Sequence, residues 1–157
     1  MPIQMEINNA QAIIICNGIV DALDVTTGGT PPANPACRIF SGAAPGATDY
    51  ADAVDPAGPL VDIPLNNPAF DPAADQNPNA RAAMDVTPTP SATPTASGTA
   101  ASFRMRDRKT TTDTIWQGNV GVSASTNDLE LSSVSLDTGT AVQLTSWTVD
   151  ALEGPGL

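Results

Sequence analysis

Residues 98–122 read GTAASFRMRDRKTTTDTIWQGNVGV, and this run decides the class of fold. Across residues 99–106 the side chains alternate, with Ala101, Phe103 and Met105 on one face and Ser102, Arg104 and Arg106 on the other. A period of two marks a strand, because successive side chains of extended chain point to opposite sides. Asp107-Arg108-Lys109 and the threonines after it supply a turn, and residues 114–122 return as the next strand with Ile115, Trp116, Val120 and Val122. Leu129, Leu131, Val134 and Leu136 mark another strand, followed by a turn at Asp137-Thr138-Gly139-Thr140. Residues 141–149 form the last one. Its parity slips, since Val142 and Leu144 share one face and Trp147 and Val149 the other. A bulge near Thr145 and Ser146 would bring all four to the core side. Strands joined by short turns, without helices between them, predict a mainly β chain: an antiparallel β-sandwich or small barrel.

Working back from that run, the N-terminal segment has a different period. Asn8 or Asn9 can cap a helix, and Ala12, Ile15, Cys16, Ile19 and Leu23 recur at offsets of three and four, as one stripe. Ile13, Ile14 and Val20 fall off it, so a second covered face is expected. The competing reading is a strand through residues 13–16, because consecutive isoleucines are poor helix material. Gly28 and Gly29 stand where the helix would end. A stiff connection, Thr30-Pro31-Pro32-Ala33-Asn34-Pro35, leads to a short strand at Cys37-Arg38-Ile39-Phe40-Ser41 that Gly42 and Pro45-Gly46 close. A second short strand covers residues 60–65, and Pro64 makes it an edge or ends it there. Residues 66–98, with Thr87-Pro88-Thr89-Pro90-Ser91-Ala92-Thr93-Pro94, read as extended loop of polyproline character that gains order on a partner.

The composition agrees with this division. Of the 157 residues, 24 are alanine and only 31 are Leu, Ile, Val or Phe, at a net charge of −11. That average borders on intrinsic disorder. It conceals a contrast: residues 1–25 hold 9 of the 31 and residues 100–152 hold 12, whereas residues 26–99 hold 9 together with 13 of the 15 prolines. The expected organisation is one domain over 1–157, with an N-terminal arm and helix (1–30), first strands (36–65), a Pro/Asp/Thr-rich loop (66–98) and antiparallel strands (99–150).

Several functions are excluded at this level. Without histidine there is no imidazole base and none of the usual zinc, copper or non-haem iron sites. With 6 basic residues against 17 acidic ones, neither a nucleic acid nor an anionic membrane is an expected partner. The apolar run Ile13-Ile14-Ile15-Cys16 is too short to span a bilayer, and its flank does not read as a secretory signal. Cys16 and Cys37 read as two small buried thiols in preference to a disulfide, and lack Cys-x-x-Cys spacing. Asp49, Asp52 and Asp55, and Asp71 with Asp75, read as solvated loop charge without calcium-loop spacing. Gly121-Val122-Ser123-Ala124-Ser125 lacks the second glycine of a nucleophile elbow. No catalytic residue, metal ligand or cofactor is expected, and the chain reads as non-enzymatic.

Two features suggest binding. Arg104, Arg106, Arg108 and Lys109 are four of the six basic residues, within a span of six. They read either as a solvated sheet face balanced by aspartates or as a docking stripe for acidic protein, since guanidinium binds carboxylates in pairs. Pro88, Pro90 and Pro94 are the second feature, because stiff proline segments lose little entropy on docking.

Stretches along the chain resemble a family of small tailed-phage proteins, usually encoded among head and tail genes. They are residues 17–24 (NGIVDALD), 38–42 (RIFSG), 97–107 (SGTAASFRMRD), 117–121 (QGNVG), 127–131 (NDLEL) and 146–149 (SWTV), in the order of the family. The long Pro/Asp-rich middle is a departure from it. The resemblance implies a virion structural protein made in the bacterial cytoplasm. Its most plausible role is a head decoration or cement protein on the outer capsid surface, with the major capsid protein as partner. A tail or head–tail connector component is the alternative. Homo-oligomerisation, as a trimer or dimer, is expected because trimers match local threefold positions of a capsid lattice.

Overall fold

The computed structural model describes residues 8–24, 34–44, 55–107, 114–123 and 128–152. It opens with helix α1 (Asn9–Asp21), which continues into a single 3-10 turn at Ala22–Asp24. Asn8 is the N-cap: its side chain accepts from the Gln11 amide and the Gln11 side chain accepts from the Asn8 amide, a reciprocal capping box. The strands follow in chain order: β1 (Ala36–Phe40), β2 (Pro59–Pro64), β3 (Ala74–Asp75), β4 (Asn79–Ala83), β5 (Ser91–Ala92), β6 (Gly98–Thr99), β7 (Ser102–Arg106), β8 (Thr114–Gly121), β9 (Leu129–Glu130), β10 (Ser135–Leu136), β11 (Val142–Gln143) and β12 (Thr148–Leu152). The fold is mainly β, with one N-terminal helix and several antiparallel sheets.

The largest sheet has the order β2-β1-β7-β8-β9. Its β1–β7 register sets Ile39 opposite Phe103 and Cys37 opposite Met105, so one face is apolar from strand to strand. The alternation holds over residues 102–106, where Phe103 and Met105 lie in the core and Ser102, Arg104 and Arg106 project from the other face. It does not extend back to 99, because Gly98–Thr99 (β6) pairs with β10 in a different sheet and Ala100, not Ala101, is buried. β2 is an edge strand that stops at Pro64, as a residue without an N–H requires. Between β7 and β8, and onward to β9, Gly118 is needed for a close approach. A Cβ there would sit 2.7 Å from that of Asp128, whose carboxylate accepts from the Asn119 amide.

A second, three-stranded sheet has the order β12-β4-β3, and α1 packs along β4, β12 and β3. Edge-to-face aromatic pairs reach across the fold. Trp116 on β8 meets Phe70 with ring centroids 6.1 Å apart, and Trp147 before β12 meets Phe103 at 5.0 Å. One continuous buried cluster joins Cys16, Ile39, Ala82, Phe103 and Leu144.

Several expectations need correction. Residues 66–98 are no wandering loop: β4 is the central strand of a sheet, and Ala69, Phe70, Ala80, Ala82 and Met84 are core residues. The strand alternates properly, but its inward residues are alanines, which apolar counts based on large side chains overlook. The parity slip in residues 141–149 is a change of sheet, since β11 pairs with β5 whereas β12 pairs with β4. The strand expected over residues 129–136 likewise divides, with Leu129 in β9, Leu136 in β10 and Leu131 and Val134 between them, and β9 runs parallel to β8. In α1 the buried residues are Ala12, Cys16 and Val20, followed by Leu23, whereas the expected stripe members Ile15 and Ile19 lie outside. The turn at residues 137–140 is present, closed by the Thr140 amide donating to the Asp137 carbonyl. Gly28, Gly29, Pro45 and Gly46 lie outside the described residues.

Candidate functional site

The arginines singled out in the sequence gather on the outer face of the large sheet. One ladder row crosses four strands: Asp62 on β2 pairs with Arg38 on β1, Arg38 with Arg104 on β7, and Arg104 with Gln117 on β8. Arg106 stands two residues along β7, on the same face. Three guanidinium groups therefore converge, which strands with alternating polarity make unavoidable once these registers are set.

Asp55 closes over them. Its carboxylate accepts from Arg104 Nη1 at 3.0 Å, from Arg38 Nη1 at 3.4 Å and from Arg106 Nη2. Arg38 also donates through Nε and Nη2 to the two oxygens of Asp62, a bidentate pair. That hydrogen bonding to Asp62 is the main reason the Arg38 guanidinium is held above its ordinary pKa. Arg104 Nε donates to Gln117 Oε1 at 3.2 Å. The segment bearing Asp55 is pinned nearby, with the Ser41 and Gly42 amides donating to the Gly58 and Ala57 carbonyls.

Burial decides what this cluster does. The Arg104 side chain is 2% exposed and that of Arg106 5%, whereas Asp55 keeps 34% of its surface. Of the two readings of the stripe, the sheet face balanced by aspartates holds in its pairing but not in its solvation: these two arginines are buried beneath a carboxylate that is itself partly exposed. Their cost of desolvation is offset by paired, directed hydrogen bonds. Arg108 and Lys109 lie outside the described residues.

The proline segment is also part of the body. Pro90 and Pro94 are buried, and Pro88 is exposed. The Leu144 amide donates to the Pro90 carbonyl, β5 pairs with β11, and the Thr95 amide donates to the Leu60 carbonyl. The segment is thus stitched between β11 and β2 of its own chain, without needing a partner for order. Its polyproline composition hid this because the bonds it makes are isolated ones, with no strand-length pattern to betray them.

The remaining chemical groups have structural partners. Cys16 and Cys37 are free buried thiols, and burial is the leading cause pushing both above the ordinary thiol pKa. Cys16 Sγ donates to the Val149 carbonyl at 3.1 Å. Asp75 accepts from Asn9 Nδ2 and from the Asn77 amide, tying the start of α1 to β3. Arg81 and Asp150 pair bidentately across β4 and β12, which holds the Asp150 carboxyl below its usual range. Asp49 and Asp52 lie outside the described residues. Among the described residues no three His, Cys, Asp or Glu side chains are grouped to hold a metal ion, and no helix is long and apolar enough to cross a membrane.

The surface feature that periodicity failed to isolate is apolar. Ile19, Ala22, Trp116, Thr148 and Val149 line an open groove of about 370 Å³ between the end of α1, β8 and β12. Ile14 and Ile15 of the same helix are also exposed. Ile15 and Ile19 belong to the stripe expected to face inward, so the sequence assigned this surface to the core. Comparison with protein-family models, with curated proteins and with solved structures finds no match to this chain.

Proposed function

We propose that this chain is a non-enzymatic structural protein of a tailed-phage virion, docked on the outer surface of the major capsid protein lattice, where it stabilises the head. One observation carries the reading. The stretches that resemble the phage family are neighbours in the fold: residues 38–42, 97–107 and 117–121 supply β1, β7 and β8, three adjacent strands of the large sheet. Residues from the stretches 17–24 and 146–149 line one groove together with Trp116 of β8. A resemblance concentrated in one packed unit supports common architecture better than motifs scattered through unrelated loops.

The charge suits the outside of a head. A net −11 chain is repelled by packaged nucleic acid and has few cations with which to neutralise phosphates. A protein that binds only the assembled lattice stabilises it by mass action. Among the expected contact residues, Arg104, Arg106, Pro90 and Pro94 are committed to the chain's own core, which leaves Pro88 as the described one that reaches solvent. Immunogold labelling of virions carrying a tagged chain tests the reading. Label spread over the head is expected. Label confined to the tail or neck would overturn it in favour of a tail or connector component.

A further inference from the structure

We infer that residues 1–7 of one copy of this chain add as a strand to the open edge of β12 in a second copy. The inference stands independently of the virion role, because it concerns the protein free in solution. It starts from how each sheet edge is protected, since an unpaired edge is a row of backbone donors and acceptors ready to pair. In the large sheet β2 is bounded by Pro59 and Pro64, and β9 at the opposite edge is two residues long. The edge of β3 is held against α1: Asn17 accepts from the Ala73 amide and Asn9 donates to the Asp75 carboxylate. β12 has no such device. It is five residues long, contains no proline or basic side chain, and among the described residues pairs with β4 alone. Its one charge, Asp150, is already paired with Arg81.

The register identifies the backbone groups that remain. The Met84 amide donates to the Trp147 carbonyl, and these residues stand opposite each other in continuation of the β4–β12 register. Hydrogen-bonded pairs therefore fall at Trp147, Val149 and Ala151. The amides and carbonyls of Thr148, Asp150 and Leu152 point away from β4, and all three residues are exposed, Leu152 to 54%. At its Thr148 end this edge opens beside Ile19, Trp116 and Val149, an apolar seat for the inward side chains of an added strand.

The sequence supplies a strand of the matching kind. Residues 1–7 read MPIQMEI, with Met1, Ile3, Met5 and Ile7 on one parity and Gln4 and Glu6 on the other. Antiparallel pairing with Met5 opposite Val149 turns Met5 and Ile7 toward the apolar seat. It also sets Gln4 opposite Asp150 and Glu6 opposite Thr148, so that the two carboxylates are not opposed. Pro2, which has no amide to donate, falls opposite Leu152 at the end of the ladder.

Reach decides whose strand it is. Ile7 is joined directly to Asn8, the N-cap of α1, and Asn9 is bonded to Asp75 on β3, at the other edge of the same sheet. From β3 to the far side of β12 is three strand spacings, about 14 Å, which takes four or more residues at ~3.4 Å each. Within one chain the segment cannot make that crossing and also lay Glu6 beside Thr148. A segment from a second copy has no such constraint, and exchange in both directions covers two edges at once.

Sedimentation equilibrium of the full chain over a wide concentration range, together with disulfide trapping, tests this. Self-association is expected, weakened at least tenfold by Ile3→Ser with Met5→Ser. Thr148→Pro removes an outward amide and none that β4 uses, so it should weaken association similarly while cooperative thermal unfolding is retained. Ile14→Ser, on an exposed part of α1, should leave association unchanged. Glu6→Cys with Thr148→Cys in one chain should link two chains under mild oxidation, and Glu6→Cys with Leu152→Cys should do so far less. Monomer at every concentration, association indifferent to both the Ile3/Met5 and the Thr148 variants, or a disulfide that closes within single chains would overturn the inference.

Discussion

Asp55 shows how one carboxylate can determine the state of a whole sheet face. Arg104 and Arg106 lie under it almost without solvent contact. Removing one partner of a buried ion pair strands the other, which costs on the order of 3–5 kcal/mol. Asp55→Ala should fall at the lower end, about 3 kcal/mol, because part of Asp55 already faces water and two guanidiniums can recruit some of it. Urea denaturation measures this; a loss within 0.5 kcal/mol of zero, an order-of-magnitude bound for unimportant surface sites, would show that the cluster holds nothing together. Asp150 has a pH signature of its own. Its folded pKa is depressed, chiefly by hydrogen bonds from Arg81, so its stabilisation is complete above the ordinary carboxylate range and disappears as pH falls through the folded value. Asp150→Asn should therefore flatten part of the acid limb of the stability curve while leaving its alkaline limb in place.

At the scale of elements, the strands that were legible were those whose large side chains alternate. β7 could be read residue by residue because Phe103 and Met105 contrast with Arg104 and Arg106, and β1 and β2 because isoleucine, valine and leucine stand between glycines and prolines. β4 could not, since Ala80 and Ala82 reach the core only by virtue of a helix that also presents small residues, Ala12 and Cys16. Close packing of small against small gives the sequence no large-residue signal. The helix itself was legible, but its orientation was not, because isoleucines on several sides blur the period that would mark the inner face. Among the candidate binding residues, the arginines were found by type and spacing. Their burial depended on Asp55, nearly fifty positions upstream in sequence, which local pattern cannot supply. The proline segment gives the sharpest test at this scale. Deleting residues 86–96 removes buried Pro90 and Pro94 and the ladder between β5 and β11. The deleted chain should lose cooperative unfolding in circular dichroism, whereas a true surface arm could be cut away without effect.

The molecule as a whole resolves what its composition left ambiguous. With 31 large aliphatic and Phe residues in 157, it builds a core by using alanine, buried proline and paired arginine where a richer sequence would use leucine. Among the described residues most acidic side chains are exposed. The proposed role draws on that arrangement: a small acidic β body whose exposed surface is available to other proteins. The proposal places the gene in a tailed phage, so the most direct test is to count the chain in purified virions of that phage, against the major capsid protein, by quantitative mass spectrometry. The proposal expects a copy number that scales with the capsomers of the head, together with heads that break at lower temperature when the gene is deleted. A copy number fixed at that of a tail or connector ring, or absence of the chain from virions, would contradict it.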